Sequence, residues 1–85
     1  MSDLVAFLTA RLDEDEGVAR WEARRDDQSL PTRALADVEA KRAIVAFAAT
    51  LLEGEDSQPW AGEEVLVRLA TAYKDHPDYR PEWKP

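Results

Sequence analysis

An uncharged apolar segment, Ala43 to Leu52, constrains the fold of this chain more than any other feature. It contains no glycine or proline, and its apolar side chains would occupy the whole circumference of a helix. Such a helix is expected to be buried on every side. Two neighbouring helices cover only part of it, so the rest requires the C-terminal segment or a second subunit. Exposure of Ile44, Phe47 or Leu51 in a lone subunit would contradict this expectation.

Length and composition indicate one small domain over residues 1–85. The absence of cysteine excludes disulfides and thiolate zinc sites, and it favours a reducing, cytoplasmic location. The N-terminus lacks the pattern of a secretory signal. The longest apolar stretch is only about half of the roughly 20 residues that a membrane span requires. We therefore expect a soluble protein with no membrane partner.

The chain is acidic, with 18 Asp and Glu against 11 Lys and Arg and a formal net charge of −7. This balance disfavours direct binding to nucleic acid, which requires an excess of basic residues on one face. The same charge suits a second function, that of an acidic regulator or decoy that binds a basic surface of a nucleic-acid-handling protein.

The first predicted helix runs from about Ser2, its N-cap, to Arg25. One stripe at helical spacing is expected to face the core, and it comprises Leu4, Val5, Leu8, Leu12 and Ala19. The opposite side is expected to carry Phe7, Val18 and Trp21. Gly17 marks a possible bend.

A polar connection is predicted at 25–31, and a second helix from Pro31 or Thr32 to about Glu53, with Gly54 as C-cap. Its inward residues are predicted to be Ala34, Leu35, Val38, Val45, Ala49 and Leu52. A third helix is predicted over about 62–75, after a polar loop that includes Pro59 and Trp60. Its apolar stripe comprises Val65, Leu66, Leu69, Ala70 and Tyr73. The predicted fold class is all-α, a small bundle of three helices with an extended aromatic tail packed on it.

The C-terminal segment, Tyr73 to Trp83, is unusually aromatic for the end of a chain. Disordered tails are poor in aromatic residues, so this one is expected to dock on a surface. For Tyr79 and Trp83 we favour packing on the chain's own second or third helix. For Trp21 we favour an interface with another molecule.

Three segments resemble a family of short, uncharacterised actinobacterial proteins. They are residues 3–16, the run Val-Glu-Ala-Lys-Arg at 38–42, and residues 69–85 with the pattern Tyr-x-Asp-His-Pro-Asp-Tyr-x-x-x-Trp. The family looks like one of unknown function, so the resemblance implies kinship and no activity. Many relatives are expected to carry cysteines in a longer loop between the second and third helices. This chain has none there, so a cysteine-based metal site is not transferred.

The sequence offers few candidates for chemistry. His76, Asp75 and Asp78 are too few to form a metal-binding ligand set. We instead expect His76 to lie at a helix end, where its charged form is stabilised and bonds to carbonyls or a carboxylate. The acidic run 13–16 points in four directions on a helix, which favours a solvated face. Lys41, Arg42 and Arg68 are expected to pair with carboxylates rather than hold a phosphate. No catalytic residue, cofactor or metal is predicted.

The preferred function is therefore a small helical module for protein–protein interaction without catalysis, and a homodimer is its expected form. The acidic regulator is one alternative. The other is a small-ligand or metal protein that uses the Tyr73, Asp75, His76 and Tyr79 cluster. The residues proposed for interface or ligand contacts are Trp21, Phe47, Leu51, Tyr73, Asp75, His76, Asp78, Tyr79 and Trp83.

Overall fold

The computed structural model describes residues 3–26, 30–53 and 58–85, and it has three α-helices. These are α1 (Asp3–Asp26), α2 (Leu30–Glu53) and α3 (Pro59–Ala70), followed by 3-10 helices at Thr71–Tyr73 and Pro81–Trp83. The predicted all-α bundle is confirmed, and no strand occurs in these ranges. None of the described helices combines the length and apolar character needed to cross a bilayer.

The helices are unequal in length, and this sets the shape of the molecule. α1 and α2 have 24 residues each and α3 has 12. At about 1.5 Å per residue, α3 can cover only about half of the long pair. It packs where the first half of α1 meets the second half of α2. The described chain is accordingly elongated, at 46 × 27 × 18 Å.

The core lies between the three helices. Its most buried members are Leu8 of α1, Ala48 of α2, and Leu66 and Ala70 of α3. Further buried apolar residues are Leu4, Phe7, Leu12, Ala19, Val38, Val45 and Val67. The leucine stripe of α1 was thus predicted correctly. On α2, however, Ala48 rather than Ala49 faces the core, and Ala34 is exposed.

The helix boundaries differ from the predicted ones in two places. α3 begins at Pro59 rather than Gly62, because proline suits the first position of a helix, where its missing N–H costs nothing. Trp60 therefore lies in the first turn of α3 and not in a loop. The α-helix also ends at Ala70 instead of reaching Asp75, and the chain tightens into a 3-10 turn.

The predicted connection at 25–31 is shorter in the structure, since α1 extends to Asp26 and α2 begins at Leu30. α1 also continues through Gly17 without interruption. The predicted caps Ser2 and Gly54 lie outside the described residues.

The expectation for Phe7 was wrong. It is 7 % exposed and belongs to the core cluster, whereas Val18 and Trp21 are both 57 % exposed. At about 100° per residue, Phe7 lies only about 60° from Leu4 around the helix, so a slightly wider buried arc includes it. The arc is wider because the C-terminal segment packs beside α3 on the same helix.

Within one chain, α2 is not buried on every side. Ile44 is 41 % and Phe47 62 % exposed, and Leu51 is half-buried. The helix α3 packs on the side of α2 that carries Ala48 and Leu52 and reaches only the edge of Leu51, and the C-terminal segment packs on α1. We call the uncovered stripe the outer α2 face, and it comprises Ala36, Ala40, Ala43, Ile44, Phe47 and Leu51. Among the described residues no element covers Ile44 and Phe47, so the expectation that this helix is buried on every side within one subunit was wrong.

Candidate functional site

Phe7 is the centre of the contact between α1 and the C-terminal segment. Its ring centroid lies 5.0 Å from Trp83, 5.8 Å from His76, 6.1 Å from Tyr79 and 6.2 Å from Tyr73. Three of the four pairs are edge-to-face, the arrangement that aromatic quadrupoles favour. We call this group the Phe7 cluster. It confirms that the segment docks within its own chain, although on α1 rather than on the second or third helix.

Arg11 lies one turn after Phe7 and is 8 % exposed. Its guanidinium stands over the Phe7 ring at 5.1 Å and makes ion pairs with Glu14 at 3.0 Å and Asp78 at 3.4 Å. Its Nε has no hydrogen-bond partner among the described residues. A buried arginine requires carboxylate partners such as Glu14 and Asp78, because an unpaired charge is costly in a low-dielectric interior. Arg11 therefore ties the segment to α1.

The side chain of His76 contacts Arg11 and a backbone N–H, and not the carbonyls or the carboxylate expected at a helix end. The backbone N–H of Asp78 donates to Nδ1 at 3.0 Å, and Arg11 Nη1 lies 2.9 Å from Nδ1 and 2.7 Å from Nε2. The α-helix has also already ended at Ala70.

Tyr73 reaches back across α1 to Asp15. Its hydroxyl donates to the Asp15 carboxylate at 2.6 Å. Burial raises the pKa of the Tyr73 phenol well above its usual value of 10.0, and the hydrogen bond to Asp15 raises it further. The phenol is therefore a firmly protonated donor at neutral pH, which fits a structural role for this side chain.

The acidic run 13–16 is bound to several partners rather than simply solvated. Asp13 pairs with Arg42 at 2.7 Å, Glu14 with Arg11, and Asp15 with Tyr73. Glu16 lies 3.5 Å from Arg20 and 3.6 Å from Arg42. The hydrogen bond from Arg42 to Asp13 raises the pKa of that guanidinium. Asp13 and Glu16 thus share Arg42, whereas Glu14 and Asp15 turn towards the C-terminal segment and its partner Arg11.

Lys41, Arg42 and Arg68 pair with carboxylates, as predicted. Lys41 lies 2.8 Å from Asp37, and Arg68 pairs with Glu64, each one turn away on the same helix. Among the described residues, no group of three or more potential ligands is placed to hold a metal ion.

The outer α2 face has the geometry of a helix-pairing surface. Four of its residues, Ala40, Ile44, Phe47 and Leu51, are separated by steps of four, three and four positions. This is the spacing of the a and d positions of a coiled coil. No charged side chain lies on this stripe between Ala40 and Leu51, since Lys41 and Arg42 project to its flanks, whereas Asp37, seven residues before Ile44, lies at its N-terminal end.

The structure divides the predicted site residues into two groups. Tyr73, His76, Asp78, Tyr79 and Trp83 meet in the contact between the C-terminal segment and α1. Phe47 and Leu51 lie together on the outer α2 face. The remaining two residues join neither group: Asp75 is exposed beside the segment, and Trp21 is exposed near the end of α1.

Sequence reasoning missed Phe7 and Arg11, the α1 half of the Phe7 cluster. The signal was present, because Phe7, Arg11 and Asp15 are spaced by four residues and form a second stripe beside the leucines. An arginine within an apolar helix face is a reason to look for carboxylate partners elsewhere in the chain.

The comparisons with known proteins give kinship alone. The model of a family of unknown function, DUF6221, matches residues 1–85. No curated protein and no solved structure matches the chain.

Proposed function

We propose that this chain, which belongs to the DUF6221 family of proteins of unknown function, is a small helical interaction module without catalysis of its own. It binds through the outer α2 face. The observation that supports this proposal is the exposure of Phe47, at 62 %, and of Ile44, at 41 %, on a stripe that has no charged side chain between Ala40 and Leu51. A contiguous apolar patch bordered by polar residues is typical of a surface that contacts another protein.

The partner surface that fits this stripe is a helix. The alternating steps of four and three residues place Ala40, Ile44, Phe47 and Leu51 in one line, where side chains of a facing helix can insert between them. The alanines allow the two backbones to approach closely along one half of the stripe. The line is only about 16 Å long at 1.5 Å per residue, so a modest affinity is expected.

A second copy of the chain is the partner that we propose. In a two-fold symmetric dimer the same surface is used twice and must be complementary to itself. An antiparallel pair of α2 helices would set the large residues of one copy against the alanines of the other. Such a pair would also keep the flanking charged residues outside the contact.

Sedimentation velocity across the micromolar range tests the proposal. The native chain is expected to shift from monomer to dimer as its concentration rises, and Phe47→Glu is expected to remain a monomer. A carboxylate at the centre of the stripe would have to be desolvated without a partner.

Val18→Glu is the matched control, because it places the same charge at a side chain of α1 that is 57 % exposed. It should dimerise like the native chain. A native chain that stays monomeric at every concentration refutes self-association. A dimer that survives Phe47→Glu refutes the assignment to this face.

A further inference from the structure

We infer that the end of the bundle where α1 begins and α2 ends is a binding site for a small organic cation, a primary amine carried on an apolar body. The site is a cleft of about 380 Å³ lined by α1, α2, α3 and the C-terminal segment. That volume lies within the range of small-molecule sites. The cleft is separate from the outer α2 face.

The inner surface of the cleft is apolar. Leu4 and Val5 contribute from α1, Leu52 from α2, the fully buried Leu66 from α3, and Trp83 from the C-terminal segment. Because these side chains come from four parts of the chain, the cleft exists only in the assembled fold. An apolar wall with one aromatic ring suits a hydrocarbon or aromatic body.

The rim of the cleft is charged and unbalanced. It carries three carboxylates, from Asp3, Glu53 and Glu63, and one guanidinium, from Arg80. Arg80 donates to Asp3 at 2.9 Å and lies over the Trp83 ring at 5.5 Å, so these two charges satisfy each other. Glu53 and Glu63 have no ion-pair partner in residues 3–26, 30–53 and 58–85. Two negative charges therefore remain beside an apolar wall.

This combination selects a cation over a neutral or anionic ligand. An ammonium group at the rim would meet Glu53 and Glu63, while its apolar body would displace water from Val5, Leu52 and Trp83, which are half-buried. A carboxylate ligand would be repelled by the same residues, because Arg80 is already engaged. A charged contact beside a low-dielectric wall is also less screened by water than one on an open surface.

Three probes that differ in charge test the inference: 2-phenylethylamine, 2-phenylethanol and 3-phenylpropionate. Binding is followed by the fluorescence of Trp83 in a Trp21→Phe, Trp60→Phe background, since both replaced tryptophans are exposed and outside the cleft. Isothermal titration of the native chain gives the affinity independently. Saturable binding is expected for the amine, with the alcohol at least about tenfold weaker, the equivalent of 1.4 kcal/mol, and the acid not binding.

The double variant Glu53→Gln, Glu63→Gln should weaken binding of the amine by about tenfold or more. The matched control is Glu22→Gln, Glu39→Gln, which changes the net charge equally at two exposed positions away from the cleft and should bind like the native chain. Circular dichroism verifies that each variant is folded. The inference would be overturned by any of three results. The amine and the alcohol could bind equally well, both double variants could weaken binding equally, or the amine could show no saturable binding.

Discussion

At the scale of single residues, the polar contacts between α1 and the C-terminal segment lie on one side of the helix. Arg11 bonds to His76 and Asp78, and Asp15 accepts from Tyr73, so residues more than 55 positions apart in sequence are joined. Hydrogen bonds to a charged group contribute about 1.5–3 kcal/mol each when buried and less when partly exposed. These contacts fix the position of the segment on α1, beside the ring contacts of the Phe7 cluster.

Tyr73→Phe should lower the free energy of unfolding by about 1 kcal/mol at neutral pH, because the bond to Asp15 is lost. The native chain should also lose stability as the pH rises above 10, the pKa of an unperturbed tyrosine. There the unfolded chain releases the phenol proton and the folded chain, with its raised pKa, retains it. Below that pH both states are protonated, and this contribution to stability is fully present.

Urea unfolding at neutral pH and at about pH 11 measures both effects. The loss between the two pH values should be smaller in Tyr73→Phe than in the native chain. Tyr79→Phe is the control, since the Tyr79 hydroxyl has no hydrogen-bond partner among the described residues. An identical alkaline loss in native chain and Tyr73→Phe would count against the role of the Tyr73 phenol.

Replacement of Gly17 and of Gly62 by alanine should have opposite effects on the free energy of unfolding. A Cβ at Gly17 would meet nothing within 4 Å, so Gly17→Ala should raise the unfolding free energy by about 0.5–1 kcal/mol through helix propensity. A Cβ at Gly62 would stand 2.6 Å from the Ala48 carbonyl oxygen and 3.1 Å from the Leu51 Cβ. Gly62→Ala should therefore cost about 1–3 kcal/mol.

Thermal or urea unfolding of both variants checks this pair of expectations. A destabilised Gly17→Ala would mean that α1 requires flexibility at this position. An unaffected Gly62→Ala would mean that α2 and α3 do not approach each other as closely as the structure shows.

At the scale of the elements, α1 has two different neighbours on adjacent sides. Its leucine stripe faces α2 and α3, and its second stripe, led by Phe7, faces the C-terminal segment. The segment has little regular structure of its own, and beyond Tyr73 its backbone bonds are those of successive turns. Its order therefore depends on the helix beneath it.

Phe7→Ala should release the segment and lower the unfolding free energy by about 3–5 kcal/mol, the usual cost of removing a buried phenylalanine. Hydrogen exchange should then accelerate at the amides of His76, Tyr79 and Trp83, which bond within the turns of the segment. Phe7→Leu should produce the same pattern at a smaller cost if the alanine variant is too unstable to study.

Val18→Ala is the control for Phe7→Ala, since it truncates an exposed side chain of the same helix and should change stability by less than about 0.5 kcal/mol. If the amides of the C-terminal segment stay protected from exchange in both Phe7→Leu and Phe7→Ala, contacts other than the Phe7 cluster hold the segment on α1.

At the scale of the whole molecule, the formal charge of −7 opposes the close approach of two copies. Within one chain, several basic residues are already paired with carboxylates, among them Lys41, Arg42 and Arg68. The proposed dimer contact has no charged side chain between Ala40 and Leu51, and Asp37 lies at its end. Repulsion between the two subunits is therefore the main electrostatic contribution to their association.

Dimerisation should accordingly strengthen as sodium chloride rises from about 50 mM to about 500 mM, because salt screens the repulsion between the subunits. Sedimentation equilibrium at the two concentrations measures the change. The alternative function, binding of a basic partner by an acidic surface, predicts the opposite dependence for its complex. A self-association that weakens with salt would show that ionic contacts, and not the outer α2 face, hold the dimer.

The sequence by itself determined the three helices and the leucine stripe of α1, because helical periodicity and capping residues act over a few neighbouring positions. It also determined that an aromatic segment closes the chain. It placed the start of α3 three residues late, put Phe7 on the wrong side of α1 and left Arg11 unnoticed, since burial of these two residues depends on a segment about 70 residues away.

Only the tertiary structure decided which element covers which face. The helix α3 is half as long as α1 and α2 and packs at one end of that pair, and the C-terminal segment packs on α1 and not on α2. Long-range packing therefore leaves Phe47 exposed and forms the acidic-rimmed cleft from four separate parts of the chain. Local sequence patterns do not specify such choices, because they depend on how whole elements compete for the same apolar surface.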